Sequence, residues 1–234
     1  MKRFGTLFLF VALTASLTTT GCTRGAPDAN DDDENHGPPA TTADNGWPIS
    51  NLPDDYSGTG YSIGDYVPIF EDQHDQHGNE DLSLGQFYGS MMLISFGAVW
   101  CAPCNLAAET SQELINAIND RLDGQATAWE IELLLDDASF GAASDGGWAE
   151  LVDAENWATD YAIEYPVLHS RPAWMEGQAW PVNAFPTLWF VDPSFEIRAI
   201  IEGHPGDATI LRTMLGGFDE FMAENPEWTS PFAG

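Results

Sequence analysis

The stretch from Met91 to Arg121 constrains this chain more than any other. Met91-Met92-Leu93-Ile94-Ser95-Phe96 is an apolar run of strand length, the pattern of a strand buried on both faces. From Pro103 to about Arg121 the pattern changes to a helix, with Leu106, Leu114, Ile115, Ile118 and Leu122 at helical spacing. Trp100-Cys101-Ala102-Pro103-Cys104 lies where the strand ends and the helix begins. Two cysteines so spaced can open and close one disulfide with little backbone movement. The free N–H groups and the dipole of the helix N-terminus favour a thiolate at Cys101. This is the arrangement that thiol–disulfide exchange needs.

The start of the chain speaks to location. Met1-Lys2-Arg3 is basic, and Phe4 to Leu17 is apolar but too short to span a bilayer comfortably. Residues 1–21 therefore read as a secretory signal. Thr19-Thr20-Gly21-Cys22 resembles a bacterial lipobox, with Gly before the lipidated cysteine and Thr19 where Leu is usual. We expect a lipid anchor at Cys22. The alternative is ordinary cleavage nearby, with Cys22 left as a free thiol. The chain has three cysteines, so lipid at Cys22 leaves Cys101 and Cys104 as a closed pair and allows no disulfide framework. Packing must then hold the core, which a body of roughly 170 residues can do. Export places the pair in an oxidising compartment, the bacterial cell envelope facing the periplasm. Thr23 after the lipidated cysteine weakly favours the outer membrane.

The chain is acidic, with 37 Asp and Glu, 7 Lys and Arg, and a formal charge of −30. Lys2, the only lysine, leaves with the signal. This excludes nucleic acid and anionic membrane surfaces as electrostatic partners. It argues first for solubility, as in a saline habitat. The acidic field opposes a thiolate at Cys101, and salt relieves it by screening.

Residues 22–63 read as an acidic flexible tether, with Asp31-Asp32-Asp33-Glu34, Gly37-Pro38-Pro39 and few apolar residues. A calcium loop starting at Asp31 would place His36 and Thr42 where Gly and Glu are required. The folded domain is placed at residues 64–234. Its predicted elements are strands at Tyr66–Phe70, Met91–Phe96, Ala128–Leu135, Pro166–Leu168, Thr187–Val191 and Ile197–Ile201. Helices are expected after Cys104, over Trp148–Tyr161, and from Ala208 to about Ala223. That last helix is capped by Asp207, with Leu211, Leu215, Phe218 and Met222 inward. Gln76-His77-Gly78-Asn79 reads as a turn. In Ala128–Leu135 the alternation of Trp129, Ile131, Leu133 and Leu135 is that of a strand, ending at Asp136-Asp137. The order implies an α/β fold with a mixed central sheet flanked by helices.

These features together resemble the thioredoxin-like superfamily, and within it the exported TlpA/ResA-type redoxins, over roughly Gly64 to Ala223. Phe96 to Cys104 is similar to the strand-plus-WCxPC signature, and Phe185-Pro186-Thr187 to the cis-proline loop. Gly64–Gly89 resembles the redoxin N-terminal extension, and the segment from about Asp137 to Pro181 the inserted helix and strand. The resemblance implies that Cys101 attacks and that Cys104, more buried, resolves the mixed disulfide. It implies a cis peptide before Pro186, with the Phe185 backbone free to pair with an extended substrate. Trp100 would shield one side of the pair. Substrate contacts are expected at Trp100 and Phe185. Thioredoxins place a buried acid six residues before the first cysteine. Here that position is Ser95, and Glu109 is a candidate substitute that reads more simply as a solvent-facing helix residue.

The function implied is a membrane-anchored thiol–disulfide oxidoreductase that reduces disulfides of exported proteins. It would act as a monomer without a cofactor and be recharged by an upstream electron donor. The alternative is a thioredoxin-fold binding or scaffold lipoprotein with a static disulfide. No metal site is expected: His74 and His77 could join the cysteines only as a weak zinc set, and His204 comes too late for a copper-chaperone redoxin. Ala98 stands where a peroxiredoxin has Thr. Trp174, Met175 and Trp180 read as core or loop packing in preference to an apolar substrate rim.

Overall fold

The structure, a computed structural model, describes residues 43, 45–50, 52–135, 149–169 and 182–232. The chain divides into Met1–Pro39 and a body over Ala40–Gly234. The signal segment, Cys22, the acidic run at Asp31, and Trp174, Met175 and Trp180 lie outside the described residues.

The body holds a mixed sheet of β1 (Met91–Ala98), β2 (Ala128–Leu135), β3 (Val167–Leu168), β4 (Thr187–Val191) and β5 (Ile197–Glu202), in the order β3-β2-β1-β4-β5. Among the described residues three α-helices accompany it: α1 (Ala102–Leu122), α2 (Leu151–Asp160) and α3 (Asp207–Glu224). β1 runs parallel to β2 from Met91↔Ala128 to Ala98↔Leu135, and antiparallel to β4. β3 pairs parallel with β2, and β5 antiparallel with β4. Each residue of β1 is buried, as a central strand covered on both faces requires.

Side chains alternate across the sheet and divide the core in two. Met91 and Leu93 join the cluster formed with α1, α2 and α3, including Ile115, Ile118, Trp157 and Phe218. Met92, Ile94 and Phe96 face the other cluster, with Phe87, Trp189 and Phe195. Leu82, Leu84 and Phe87, from the segment before β1, fill that second face.

Four expectations change. The folded body starts before Gly64: Trp47 is buried, and its indole N–H donates to Asp75 Oδ2 at 2.5 Å. The Tyr56 hydroxyl likewise donates to the Val67 carbonyl at 2.6 Å. These aromatics are too widely spaced to produce a periodic signal. Tyr66–Phe70 is not a strand. It makes one bridge, Tyr66↔Glu196, and Pro68 has no N–H to extend a ladder. Leu106 is 58% exposed, since α1 turns it away from the core. α3 starts from Gly206 as its cap, while the Asp207 carboxylate accepts the Thr110 hydroxyl of α1 at 3.1 Å. Its buried stripe is Ile210, Met214, Gly217, Phe218 and Phe221, so the apolar residues Leu211, Leu215 and Met222 sit on its margins.

Trp47→Ala should lower stability by roughly 3–5 kcal/mol, the cost of truncating a buried aromatic. A urea transition whose midpoint does not move would show that residues before Gly64 add nothing to the body.

Candidate active site

Cys101 ends the junction after β1 and caps α1. Its backbone is extended, and its Sγ accepts the Cys104 N–H at 3.2 Å. Pro103 occupies the first turn of α1, where its missing N–H costs nothing. Cys101 and Cys104 are joined in a disulfide with a Cα–Cα distance of 5.2 Å, and both are buried. Asn105 secures the junction. Its amide donates to the carbonyls of Val99 at 3.1 Å and Cys101 at 2.7 Å, and its Oδ1 accepts the Tyr161 hydroxyl at 2.5 Å.

The Phe185–Pro186 peptide is cis. The Pro186 carbonyl accepts the Gly203 N–H at 2.7 Å, and the Thr187 hydroxyl donates to Ala184. Exposed Trp100 meets Phe185 edge to face, with ring centroids 6.1 Å apart. A groove of about 240 Å³ runs between the two segments, lined by Trp100, Cys101, Pro103, Ala184 and Phe185. The residues expected around the cysteine pair thus share one surface, and Cys101 opens onto it. Glu109 is exposed on α1 and is not a buried acid. His204 lies just after β5, its Nε2 3.7 Å from Asp207 Oδ1. Among the described residues no group of three or more His, Cys, Asp or Glu could hold a metal ion.

Two buried acids of β2 complete the surroundings of this site. Glu130 and Glu132 share the face of β2 opposite Ile131 and Leu133, and both are buried. Ser95 of β1 is the register partner of Glu132. Burial pushes the Glu132 carboxyl up to about 7, while a hydrogen bond with Ser95 pulls it back. Burial raises Glu130 well above the carboxylate range, and the Glu132 charge adds to this. Glu130 also bonds Tyr165, whose hydroxyl lies 2.7 Å from that of Ser111. Burial, then the Glu130 charge, pushes the Tyr165 phenol up. The signal was present in the sequence as polar alternates within an apolar strand. Such alternation also fits a strand with one wet face, and the burial of these acids is a matter of tertiary packing.

The Glu132 shift makes the body less stable as pH rises. The folded state keeps this proton up to about pH 7, whereas the unfolded chain loses it near 4.5. Stability therefore falls through that window, by roughly 3 kcal/mol for this group. In urea titrations at several pH values, Glu132→Gln should flatten this slope relative to wild type. Parallel curves would contradict the assignment.

No family model matches the chain. The thiol-disulfide oxidoreductase ResA of Oceanobacillus iheyensis is 24% identical over 157 residues, covering 66% of this chain and 71% of that protein. A putative protein disulfide isomerase from Bacteroides thetaiotaomicron superposes with a TM-score of 0.53 at 14% identity, covering 72% of this chain and 97% of that one. A thiol:disulfide interchange protein from a Bacteroides species gives 0.51 at 16% identity, covering 68% and 91%. The mixed sheet, the cysteine pair at the head of α1 and the cis-proline loop beside it form a thioredoxin-like redoxin fold, and the chain is similar in sequence to a ResA-type thiol–disulfide oxidoreductase.

Proposed function

We propose that this protein is a lipid-anchored thiol–disulfide oxidoreductase of the bacterial envelope, reducing disulfides of exported proteins through Cys101 and Cys104. One observation carries the reading: the bonded pair sits at the head of a 21-residue helix, with Cys101 opening onto a groove shared with the cis-proline loop. In the dithiol state the N-terminus of α1 favours the Cys101 thiolate. That thiolate attacks one sulfur of a substrate disulfide bound along the groove and expels the other as a thiolate. Cys104 then attacks Cys101 Sγ, releases the second substrate thiol and closes the disulfide seen here. A dithiol donor returns the pair to the reduced state. Ala102 and Pro103 bring no cation between the sulfurs, which leans the couple toward reduction. The anchor rests on the likeness of Thr19–Cys22 to a lipobox and on the apolar segment before it. Among the described residues no helix is long and apolar enough to cross a membrane.

Supplied with a dithiol, the protein should reduce insulin disulfides, and Cys101→Ser should lower the rate to background. Cys104→Ser should accumulate mixed disulfides that reveal the substrates. Undiminished turnover by Cys101→Ser would defeat the reading.

The anchor has its own test. Cys22→Ser should move the protein from the membrane fraction to the soluble fraction. Persistent membrane association would assign anchoring elsewhere.

A further inference from the structure

Ser95 cannot accept a proton as a carboxylate can, yet the Cys104 thiol must lose one before it resolves the mixed disulfide. The acid nearest to that need comes from the neighbouring strand. Glu132 pairs in register with Ser95 and projects onto the same face of the sheet, toward α1. Its carboxylate leans over Gly97. A Cβ placed on Gly97 would collide with Glu132 Oε1 and would lie 3.6 Å from the Cys104 Cβ. The absent side chain at Gly97 leaves the space in which the carboxylate stands beside Cys104. Glu132 is 5% exposed, so bulk water does not easily replace it as proton acceptor.

We propose that Glu132, reaching across from β2, takes the proton from the Cys104 thiol as Cys104 attacks the mixed disulfide. This rests on the oxidoreductase reading above. The step balances as follows. The Cys104 S–H bond breaks and its proton passes to the Glu132 carboxylate. The Cys104 thiolate then forms a bond to Cys101 Sγ, and the bond from Cys101 to the substrate sulfur breaks. The substrate sulfur leaves with the electron pair and takes up a proton, which returns Glu132 to its ionised form. The cysteine pair is oxidised by two electrons and the substrate disulfide is reduced by two.

The groups facing Glu132 define its titration. Ser95 of β1 bonds it, and its charge pushes the neighbouring Glu130 of its own strand further up. Cys104 approaches from α1, and Tyr165, after α2, senses its charge. His204 reaches a cavity of about 20 Å³ that Ser95, Ser111 and Glu130 also line. Glu132 is held near neutrality, where a proton acceptor for a thiol is most useful.

The test uses the full chain and two readouts. In a Cys101→Ser background, ultraviolet thiolate absorbance follows the titration of Cys104. Glu132→Gln removes a neighbouring negative charge, so the Cys104 midpoint should fall by about one pH unit or more. In the otherwise wild-type pair, an aryl disulfide forms the mixed disulfide with Cys101, and stopped flow follows its resolution. Here Glu132→Gln should slow resolution roughly tenfold or more near neutral pH, with partial rescue by Glu132→Asp. A merely structural role would not lower the Cys104 midpoint while slowing its attack. An unchanged midpoint, or resolution at the wild-type rate, overturns the proposal. Should Glu132→Gln fail to fold, Ser95→Ala removes the bond that holds the Glu132 pKa down. The pH limb of resolution should then move upward, and an unmoved limb overturns the proposal. If wild type reduces no protein disulfide, the oxidoreductase reading falls, while the Cys104 titration still decides this inference.

Discussion

Burial of β1 on both faces is the constraint on which the rest of the molecule depends. Its eight-residue pairing with β2 and its antiparallel pairing with β4 fix its direction and register. That register delivers Cys101 to the head of α1 and sets the Phe185–Pro186 loop before β4 alongside it. A strand this enclosed must be apolar on both faces, because a buried polar group without a partner costs a few kcal/mol. Ser95 and Gly97 interrupt the apolar run, and both lie where Glu132 comes across from β2. The interruptions mark the place where chemistry displaces packing.

The chain manages buried carboxylates in two ways. Asp192 is fully buried and is met by Arg198 Nε at 2.6 Å and by the N–H groups of Ser194 and Glu196. Asp75 is enclosed likewise, held by Trp47, Asn79 and backbone N–H groups. These acids complete loops. Glu130 and Glu132 face hydroxyls instead, those of Tyr165 and Ser95. Hydroxyls solvate a carboxylate less well than a cation does, so burial dominates and both acids are driven toward the protonated form. The first arrangement gives rigidity, and the second gives a group able to gain and lose a proton near neutrality.

Local pattern carried most of the fold. The apolar run at Met91, the helical spacing from Leu114 to Leu122 and the alternation from Ala128 to Leu135 each report a period that survives without knowledge of neighbours. The cysteine pair and Pro186 were legible because small motifs have few structural uses. Trp47 and Tyr56 were not, since each is a single aromatic that docks far away along the chain. The phase of α3 was also hidden: several of its apolar residues could face inward, and contact with α1, β4 and β1 selects Ile210, Met214 and Phe221.

The sequence by itself determined the strand-to-helix junction, the two thiols at it and the alternation of elements, because these depend on neighbours along the chain. The tertiary structure decided which faces are wet. Glu109, beyond the cysteines on α1, points to solvent. Glu132, 28 residues beyond Cys104 in number, comes over Gly97 on the side of Cys104 because parallel pairing with β1 sets it opposite Ser95. Burial is a property of assembled layers, and the proton chemistry at this site follows from burial.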